Sequence, residues 1–238
     1  MRWRAAGVLA LTCGPAAAVE CEDVTFRDAS YTICTVDVTQ EDLRLFHRDA
    51  DGKVYGQFGA IEAAVGPLAF AMNAGMYHDD RSAVGLYKED GAEQAPLVLS
   101  DGPGNFGLLP NGVLCINDAE AWVMESKRFF ASARLCENAT QSGPMLVIDG
   151  ELHPRFIPNG SSKHIRNGVA AAPHNPIVHF AISNEPVNFH DFGSLFRDYL
   201  GVDNALYFDG KVSRLYAPDL NRSDFGWQLG PIVGVVKK

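Results

Sequence analysis

The chain has 238 residues with a formal net charge of −9, and 47% of its residues are hydrophobic. This length is sufficient for one domain with a sizeable core. An acidic chain without a cluster of lysine and arginine residues is a poor candidate for binding nucleic acid or an anionic membrane surface. Glycine and proline are scattered rather than concentrated in a linker, so we expect a single domain over residues 19–238.

The first eighteen residues have the pattern of a secretory signal peptide. Arg2 and Arg4 precede a short apolar run, and the small residues Ala16 and Ala18 fit cleavage after position 18. Lipid attachment at Cys13 is the weaker alternative. Cleavage leaves 220 residues, and the loss of two arginines changes the net charge from −9 to −11. We therefore expect a periplasmic or secreted protein that has no membrane contact after signal cleavage.

Four cysteines follow the signal peptide, and an even number in an exported chain favours two disulfides. Four cysteines allow three pairings. Pairing Cys21 with Cys34 and Cys115 with Cys136 closes the smallest loops and is our prediction. A four-cysteine zinc site is the alternative, and it is weaker because no pair has the close C-x₂₋₄-C spacing.

Short runs of apolar residues predict a strand-rich domain. The alternation of apolar and polar residues predicts an early strand or hairpin over 25–38 and a strand over 42–48. Continuous apolar runs at 67–72, 144–148 and 205–208 are typical of strands that are covered on both faces. Each of these three runs is followed by a polar residue and, directly or one residue later, by glycine.

Three segments predict helices. A short helix over 59–66 ends at a Gly-Pro pair, and a weaker helix covers 126–136. The clearest helix covers 189–201, with Asn188 as its N-cap and Gly201 after its last turn. Its apolar residues follow the spacing of one helix face, which implies a helix on the outside of a sheet: Phe192, Leu195, Phe196, Tyr199 and Leu200. The fold class we expect is α+β, a single domain with a mixed, strand-rich central sheet and a few covering helices.

The polar residues at the strand ends have two interpretations. Asn73, Asp149 and Asp209 follow the three continuous apolar runs, and the ends of buried strands are well placed for chemistry in layered architectures. However, Asp-Gly between two apolar runs is also a signal for a type I′ hairpin turn, in which both central residues have positive φ. Spacing alone leaves both interpretations open for Asp209-Gly210.

Two further segments contain candidate functional groups. Ser142 and Gly143 lead into a buried strand, where they would present a hydroxyl and backbone N–H groups to an oxyanion; an ordinary loop is the alternative. Lys163, His164 and Arg166 are close together in an otherwise acidic chain. A guanidinium near a core strand needs a carboxylate, backbone carbonyls or a substrate anion as its partner. A structural ion pair and a substrate contact are equal alternatives for Arg166.

The histidines do not indicate a metal site. His78 lies beside Asp79 and Asp80, and His190 lies beside Asp191, but neither group has a recognised ligand spacing. The chain also has no G-x-S-x-G motif and no phosphate-binding loop of the nucleotide type. We therefore expect neither a metal nor a cofactor.

Four segments resemble, in order, the signature segments of the phosphodiester glycosidase family: MNAGMY (72–77), SGPMLVIDG (142–150), IRNGVA (165–170) and ALYFDGKVS (205–213). The resemblance covers roughly residues 30–236 and is strongest to the short periplasmic bacterial branch of the family. It implies hydrolysis of a sugar-1-phosphodiester between the anomeric carbon and the phosphate oxygen, in envelope or exopolysaccharide metabolism. The implied substrate is a phosphorylated sugar or glycan.

The resemblance also implies roles for residues in these segments. Asp209 acts as nucleophile, base or electrostatic stabiliser beside the anomeric carbon. Arg166 neutralises the phosphate, and Asn73 orients a sugar hydroxyl or a phosphate oxygen. The remaining residues are expected to contact the substrate: Gly75, Ser142, Gly143, His164, Gly210, Lys211 and Ser213.

The last signature segment departs from the family pattern. The family typically has Asp-Gly-Gly-Gly-Ser, whereas this chain has DGKVS over 209–213. A lysine and a β-branched valine predict a stiffer and more cationic loop than two glycines do. Two alternatives accompany the hydrolase, and the departure favours the first of them. One is a periplasmic protein that binds a glycan or phosphosugar without turnover, and the other is a metal-dependent phosphodiesterase built on His78, Asp79 and Asp80.

Overall fold

The structure is a computed structural model that describes residues 19–238, and the predicted signal peptide lies outside these residues. Three α-helices are present in the described part: α1 (Phe58–Val65), α2 (Ser126–Ser132) and α3 (Phe189–Ser194), which continues into a π-helical turn (Leu195–Tyr199). The strands are β1 (Val19–Phe26), β2 (Ala29–Asp37), β3 (Leu43–Phe46), β4 (Leu68–Asn73), β5 (Tyr87–Glu89), β6 (Ala92–Ala95), β7 (Gly112–Asn117), β8 (Glu120–Glu125), β9 (Asn138–Ser142), β10 (Met145–Ile148), β11 (Glu151–Leu152), β12 (Asn167–Ala171), β13 (Ile177–Ser183), β14 (Ala205–Asp209), β15 (Leu215–Ala217), β16 (Arg222–Ser223) and β17 (Ile232–Val236).

These strands form three sheets. The first sheet has the order β1-β2-β13-β12-β14-β10-β11, the second β16-β15-β4-β17-β3, and the third β6-β5-β9-β7-β8. All strand pairs between residues 19 and 238 are antiparallel. The α+β class is confirmed, but the expected mixed pairing in one central sheet is replaced by antiparallel pairing in three. The physical reason is that turns such as β1–β2 and β7–β8 are too short for the crossover that a parallel pair needs.

The main apolar core lies where the three sheets pack against one another. It contains Phe180 and Phe208 from the first sheet, Phe70 from the second and Leu114 from the third, and all four are fully buried. The ring centroids of Phe70 and Phe180 are 4.8 Å apart. Because β4, β9 and β14 each belong to a different sheet, this core sets the relative positions of their ends.

The helix predicted over 189–201 packs on the outer face of the first sheet, as expected. The side-chain oxygen of Asn188 caps it by accepting the backbone N–H three residues later, at 2.8 Å. Phe192 and Phe196 are fully buried in a second apolar cluster with residues of β10 and β14. Tyr199 is 47% exposed, because the wider π-helical turn shifts it away from the apolar face.

The other two helices begin close to the predicted positions, but only α1 also ends close to its predicted end. The helix predicted over 59–66 is present as α1 and ends at Gly66, which has a φ of 105°. The weaker helix predicted over 126–136 is present only as α2. It ends early because Ala133 adopts the left-handed conformation, with a φ of 50°.

Both predicted disulfides are confirmed. Cys21 and Cys34 are directly opposite each other in the β1–β2 hairpin. Of the two structures predicted for residues 25–38, a strand or a hairpin, the hairpin is the one observed. Cys115 on β7 is bonded to Cys136, which precedes β9. The zinc alternative is therefore wrong, since all four sulfurs are used in disulfides. Within residues 19–238, no helix has the length and apolar character that a membrane span requires.

Candidate active site

A cleft of about 470 Å³ lies at the C-terminal end of β14. Its walls are formed by residues 76–78 with Val84, by the loop residues 103–106, and by Tyr207 together with residues 209–211. His164 completes the lining. Clefts of this size accommodate small-molecule ligands and sugar units.

Asp209 lines this cleft and binds backbone N–H groups through one carboxylate oxygen. Its Oδ1 accepts hydrogen bonds from the backbone N–H groups of Gly210, at 2.5 Å, and Lys211, at 3.0 Å. Its Oδ2 accepts no hydrogen bond from the residues that the structure describes. Burial raises the pKa of Asp209 above the ordinary aspartate value, and the two backbone hydrogen bonds and the Lys211 charge partly offset this increase. The carboxylate is fixed through one oxygen, and the other remains available to a ligand.

The Asp-Gly pairs at 149–150 and 209–210 have different backbone conformations. Asp149 and Gly150 have φ values of 50° and 82°, and they form the two-residue hairpin turn between β10 and β11. Neither Asp209 nor Gly210 has a positive φ. The type I′ interpretation of Asp209-Gly210 is therefore wrong. The chain turns here because the Asp209 side chain accepts hydrogen bonds from the next two backbone N–H groups.

Arg166 lies behind the cleft rather than in its wall. Its buried guanidinium stacks 3.6 Å from the centroid of the Phe189 ring. Its Nε donates to the carbonyl of Val187 at 2.8 Å, its Nη2 to the carbonyl of Ser162 at 3.0 Å, and its Nη1 to the Tyr207 hydroxyl at 3.2 Å. No carboxylate in residues 19–238 pairs with it, so the structural ion pair is wrong. Burial lowers the pKa of Arg166, and Tyr207 opposes this effect.

Tyr207 connects Arg166 to the cleft, which it lines. Burial raises the pKa of Tyr207 far above its ordinary value, so its hydroxyl stays protonated at neutral pH. The Arg166 guanidinium and the Asn105 side chain oppose this increase in the pKa of Tyr207. Gly210 packs against the same hydroxyl so closely that a β-carbon would collide with it. The glycine of the Asp-Gly pair is therefore required by packing.

Asn167 joins the end of β14 to β4. Its Oδ1 accepts hydrogen bonds from the backbone N–H of Asp209, at 3.2 Å, and from the Ser213 hydroxyl, at 3.1 Å. Its Nδ2 donates to the backbone carbonyl and to the Oδ1 of Asn73, both at 3.0 Å. The Oδ1 of Asn73 also accepts the backbone N–H of Arg214, at 2.9 Å. Asn73 and Ser213 therefore support the Asp209 turn, and neither lines the cleft.

Ser142, Gly75 and Gly143 also lie behind the cleft. The hydroxyl of Ser142 donates to the carbonyl of Phe208 at 2.9 Å and so holds β14 against β9. Gly75 has a φ of 128°, a conformation that favours glycine. At Gly143 a β-carbon would lie 2.7 Å from the Cβ of Asn111, so only glycine fits there.

The structure thus brings the predicted site residues to the end of β14 but separates them into two groups. Asp209, His164, Gly210 and Lys211 line the cleft, whereas the other predicted residues hold the backbone behind it. Their functional roles remain predictions. Sequence reasoning considered His78 only as a metal ligand, and it did not identify the other lining residues that carry functional groups: Tyr77, Asn105 and Tyr207. Tyr77 and Tyr207 lie inside signature segments, which was a usable signal, but the 103–106 loop lies outside all four segments.

His78 lines the cleft, but its neighbour Asp80 binds other groups. Asp80 accepts hydrogen bonds from the hydroxyl of Ser82, at 2.6 Å, and from its backbone N–H, at 2.9 Å, and these bonds lower the pKa of Asp80. Within residues 19–238, no group of three or more histidine, cysteine and acidic side chains is arranged to hold a metal ion.

Fold and cleft together define an α+β domain of antiparallel sheets with a carboxylate-bearing site where the sheets meet. The chain belongs to the phosphodiester glycosidase family, whose model matches residues 67–236. This match confirms the resemblance that the four signature segments indicate.

Similar proteins extend over most of the chain. The uncharacterized protein YigE of Escherichia coli (strain K12) is 34% identical over 233 residues, which cover 96% of this chain and 90% of YigE. The catalytic domain of zebrafish N-acetylglucosamine-1-phosphodiester α-N-acetylglucosaminidase, auto-inhibited by its pro-peptide, has a TM-score of 0.64 and 11% identity over 94% of this chain and 85% of its own. A hypothetical protein from Synechocystis has a TM-score of 0.60 and 13% identity, over 92% of this chain and 62% of its own. These two structures share the fold.

Proposed function

We propose that this chain is an exported hydrolase that cleaves a sugar-1-phosphodiester between the anomeric carbon and the phosphate oxygen, in envelope or exopolysaccharide metabolism. The observation that carries the proposal is the Asp209 carboxylate, which lines a cleft in a chain of the phosphodiester glycosidase family and whose Oδ2 accepts no hydrogen bond from residues 19–238. The two disulfides support an oxidising compartment.

Asp209 is suited to stabilise the reacting sugar. As the bond to phosphate breaks, positive charge develops at the anomeric carbon and the ring oxygen, and a nearby anion lowers the energy of that state. The hydrogen bonds from Gly210 and Lys211 fix the carboxylate before substrate binds, so no reorganisation is needed during the reaction. Asp209 is the anion in this proposal.

The leaving phosphate needs neutralisation of its charge more than it needs a strong acid, because a phosphodiester anion is already a weak base. Lys211 and His164 line the same cleft as Asp209 and are the proposed phosphate contacts. The protonated hydroxyl of Tyr207 is a further donor. We assign Arg166 a positioning role, because it orients Tyr207 from behind and contributes positive charge without lining the cleft.

The DGKVS departure is compatible with this chemistry. Lys211 is exposed and lines the cleft, so it adds positive charge where the phosphate is expected. Val212 does not line the cleft and packs instead against an apolar cluster that includes Phe58 and Ile61. The valine therefore occupies a structural position, and the lysine changes the electrostatics of the site.

A substrate screen tests the proposal. Wild type and Asp209→Asn would be assayed with a panel of sugar-1-phosphodiesters that differ in sugar and anomeric configuration. We expect wild type to release the sugar from at least one substrate, and the variant to be slower by roughly 10²–10⁴, since loss of a catalytic anion raises the barrier by about 3–6 kcal/mol. Asp149→Asn is the matched control, because it changes an Asp-Gly at a strand end outside the cleft and should keep wild-type turnover.

The same screen separates the alternatives. If wild type hydrolyses no substrate and Asp209→Asn only weakens binding, the chain is a binding protein for a glycan or phosphosugar, which the DGKVS departure favours. Turnover that is lost on adding a chelator and restored by a divalent cation would instead support the metal-dependent phosphodiesterase with His78, Asp79 and Asp80.

A further inference from the structure

Two aromatic side chains on one loop, residues 224–230, are almost completely exposed. Phe225 is 94% exposed and Trp227 is 82% exposed. Single exposed apolar residues are common on protein surfaces and need no explanation. Two large aromatic side chains separated only by Gly226, in a loop that is otherwise firmly held, are less common and indicate a contact surface.

The 224–230 loop is ordered by hydrogen bonds to three successive carbonyls. The carbonyls of residues 226, 227 and 228 accept hydrogen bonds from the Gln57 amide at 3.1 Å, the Arg214 guanidinium at 2.6 Å and the Tyr77 hydroxyl at 3.1 Å, respectively. Leu229 is fully buried and anchors the end of the loop. Because the backbone is already fixed, a ligand that contacts the two rings has little loop entropy to overcome.

The loop adjoins the candidate active site. Tyr77, whose hydroxyl donates to the carbonyl of residue 228, is itself part of the cleft wall. The backbone N–H of Arg214 donates to Asn73, which belongs to the hydrogen-bond network that supports the Asp209 turn. Tyr77 therefore connects the backbone of the 224–230 loop to the wall of the cleft.

We propose that Phe225 and Trp227 form a stacking platform for a pyranose ring of a glycan that extends out of the cleft. The C–H face of a pyranose ring stacks on an aromatic ring, while its hydroxyl groups keep their contacts with water. The inference deepens the proposed function, on which it rests for the link to catalysis. It assigns the substrate to oligosaccharides or longer glycans rather than to single sugars.

The size of the surface favours a sugar over a protein partner. Two aromatic side chains bury at most about 300–500 Å² together. A stable protein interface needs about 800 Å² on each partner. A glycan needs only one or two rings of contact beside a site that holds the rest of the chain.

Tryptophan fluorescence tests the platform without requiring turnover. Trp122 is 1% exposed and Trp3 belongs to the predicted signal peptide, so in the exported protein Trp227 is the tryptophan that a ligand would contact. The purified exported protein would be titrated with cello-, chito- and maltohexaose, and with glucose and N-acetylglucosamine. We expect at least one hexasaccharide to shift the emission, with an affinity roughly tenfold above that of its monosaccharide.

Matched variants identify the residues responsible. Trp227→Ala should abolish the shift and, measured by calorimetry, weaken hexasaccharide binding at least roughly fivefold, as expected for a stacked aromatic contact. Trp227→Phe should restore most of the affinity, and Phe225→Ala should lose part of it. Phe130→Ala removes another exposed aromatic side chain, on α2, and should bind as wild type does. All three side chains are exposed, so unchanged melting temperatures would establish that the four variants fold as wild type does.

The outcomes distinguish the platform from the hydrolase. Hexasaccharide binding that depends on Trp227, in a protein that hydrolyses no sugar phosphodiester, supports the platform and overturns the proposed function. If wild type hydrolyses a sugar phosphodiester but binds no hexasaccharide, the platform alone is overturned. The same holds if Trp227→Ala binds the hexasaccharide as tightly as wild type does. A wild-type dimer that Trp227→Ala converts to a monomer in analytical ultracentrifugation also overturns it, because the rings then contact a second copy of the chain.

Discussion

Asp209 and Asp149 each end a buried strand and precede glycine, yet their carboxylates have opposite electrostatic environments. The exposed Asp149 forms a two-bond ion pair with Arg128, at 2.7 and 2.8 Å, which lowers the pKa of Asp149. Burial raises the pKa of Asp209, which has no cationic side chain bonded to it in the described chain. A raised carboxylate pKa in a cleft is typical of functional sites, where holding a buried charge in position lowers the stability of the fold.

Asp209→Asn is expected to be as stable as wild type, or more stable, at neutral pH. Because the pKa of Asp209 is raised in the folded state, ionisation above that pKa destabilises the fold, and the effect disappears as the carboxyl protonates in acid. Asparagine keeps the Oδ1 acceptor without the charge. Thermal unfolding between pH 3 and pH 8 should therefore show any gain at neutral pH vanishing in acid.

The control and the pH profile make this expectation specific. Asp149→Asn should be slightly less stable at neutral pH, since the pKa of Asp149 is lowered in the folded state. In wild type, kcat/KM should fall as the pH drops through a value above the ordinary aspartate pKa, because the proposed role of Asp209 requires its ionised form. A neutral-pH loss of stability in Asp209→Asn would contradict the idea that the charge is held there for function.

Arg166→Lys is expected to be nearly as damaging as Arg166→Ala. The guanidinium donates from three different nitrogens in three directions and stacks on Phe189, and a single ammonium reproduces only one of these contacts. The unpaired carbonyls and Tyr207 hydroxyl should lower the free energy of unfolding by about 2–4 kcal/mol. Urea unfolding together with turnover below the transition would measure both effects.

Arg128→Lys is the comparison for this prediction, since Arg128 is an exposed arginine outside the cleft. It should change the free energy of unfolding little. A stable Arg166→Lys variant with wild-type turnover would reduce Arg166 to a general positive charge.

At the scale of elements, the end of β14 is held by residues from all three sheets. Asn167 of β12 binds the backbone N–H of Asp209 within the first sheet. Asn73 of β4 binds Asn167 from the second sheet, and Ser142 of β9 binds the carbonyl of Phe208 from the third. The position of the Asp209 carboxylate therefore depends on how three sheets pack, and a change behind the cleft should act on catalysis without touching substrate.

Asn167→Ala is expected to lower both stability and turnover. Its side chain makes hydrogen bonds to Asn73, Asp209 and Ser213, and its removal leaves the buried amide of Asn73 without its partner. The free energy of unfolding should fall by about 2–4 kcal/mol. Substrate KM should change less than kcat, since Asn167 lies behind the cleft.

Asn138→Ala is the matched control for Asn167→Ala, because it also removes a buried asparagine side chain from a strand. The side-chain oxygen of Asn138 accepts one hydrogen bond, from the backbone N–H of Asp90, and Asn138 lies at the opposite end of β9 from Ser142. Its loss should cost about 1 kcal/mol and leave kcat unchanged. Equal effects of the two variants on kcat would refute the specific role of the Asn167 network.

At the scale of the whole molecule, the disulfides lie outside the lining of the cleft. One joins the β1–β2 hairpin at the edge of the first sheet, and the other closes a segment of the third sheet. Neither cysteine pair lines the cleft. The disulfides therefore stabilise the fold, while the packing of the sheets against one core determines the site.

Replacing either cysteine pair with alanine is expected to lower the free energy of unfolding by about 2–4 kcal/mol. The Cys115–Cys136 pair should cost slightly more, because its sequence separation is 21 rather than 13 and the closed loop is longer. Turnover measured well below the melting temperature should be retained in both double variants. Peptide mapping that finds four free thiols in exported protein would contradict both the bonds and the compartment.

The sequence by itself determined the properties that depend on neighbours along the chain. Local preferences predict that Asn188 caps a helix and that Gly66 ends another, and the folded chain retains both. The 3.6-residue spacing of apolar residues predicts that α3 packs on the outer face of a sheet. The order of four segments also identified the family. Pairing of nearest cysteines succeeded because both disulfides close short local loops.

Only the tertiary structure decided which strands pair and which site residues face the cleft. Asn73 and Asp209 looked equivalent as polar residues at strand ends, but Asn73 is bonded to Asn167, 94 positions away, and Asn167 is bonded to Asp209, 42 positions further on. Burial, pKa and the direction of a side chain are set by such distant contacts, because desolvation and hydrogen bonding depend on all atoms nearby rather than on sequence neighbours. The antiparallel pairing, the Asp209 turn and the position of Tyr207 between Arg166 and the cleft were decided in the same way.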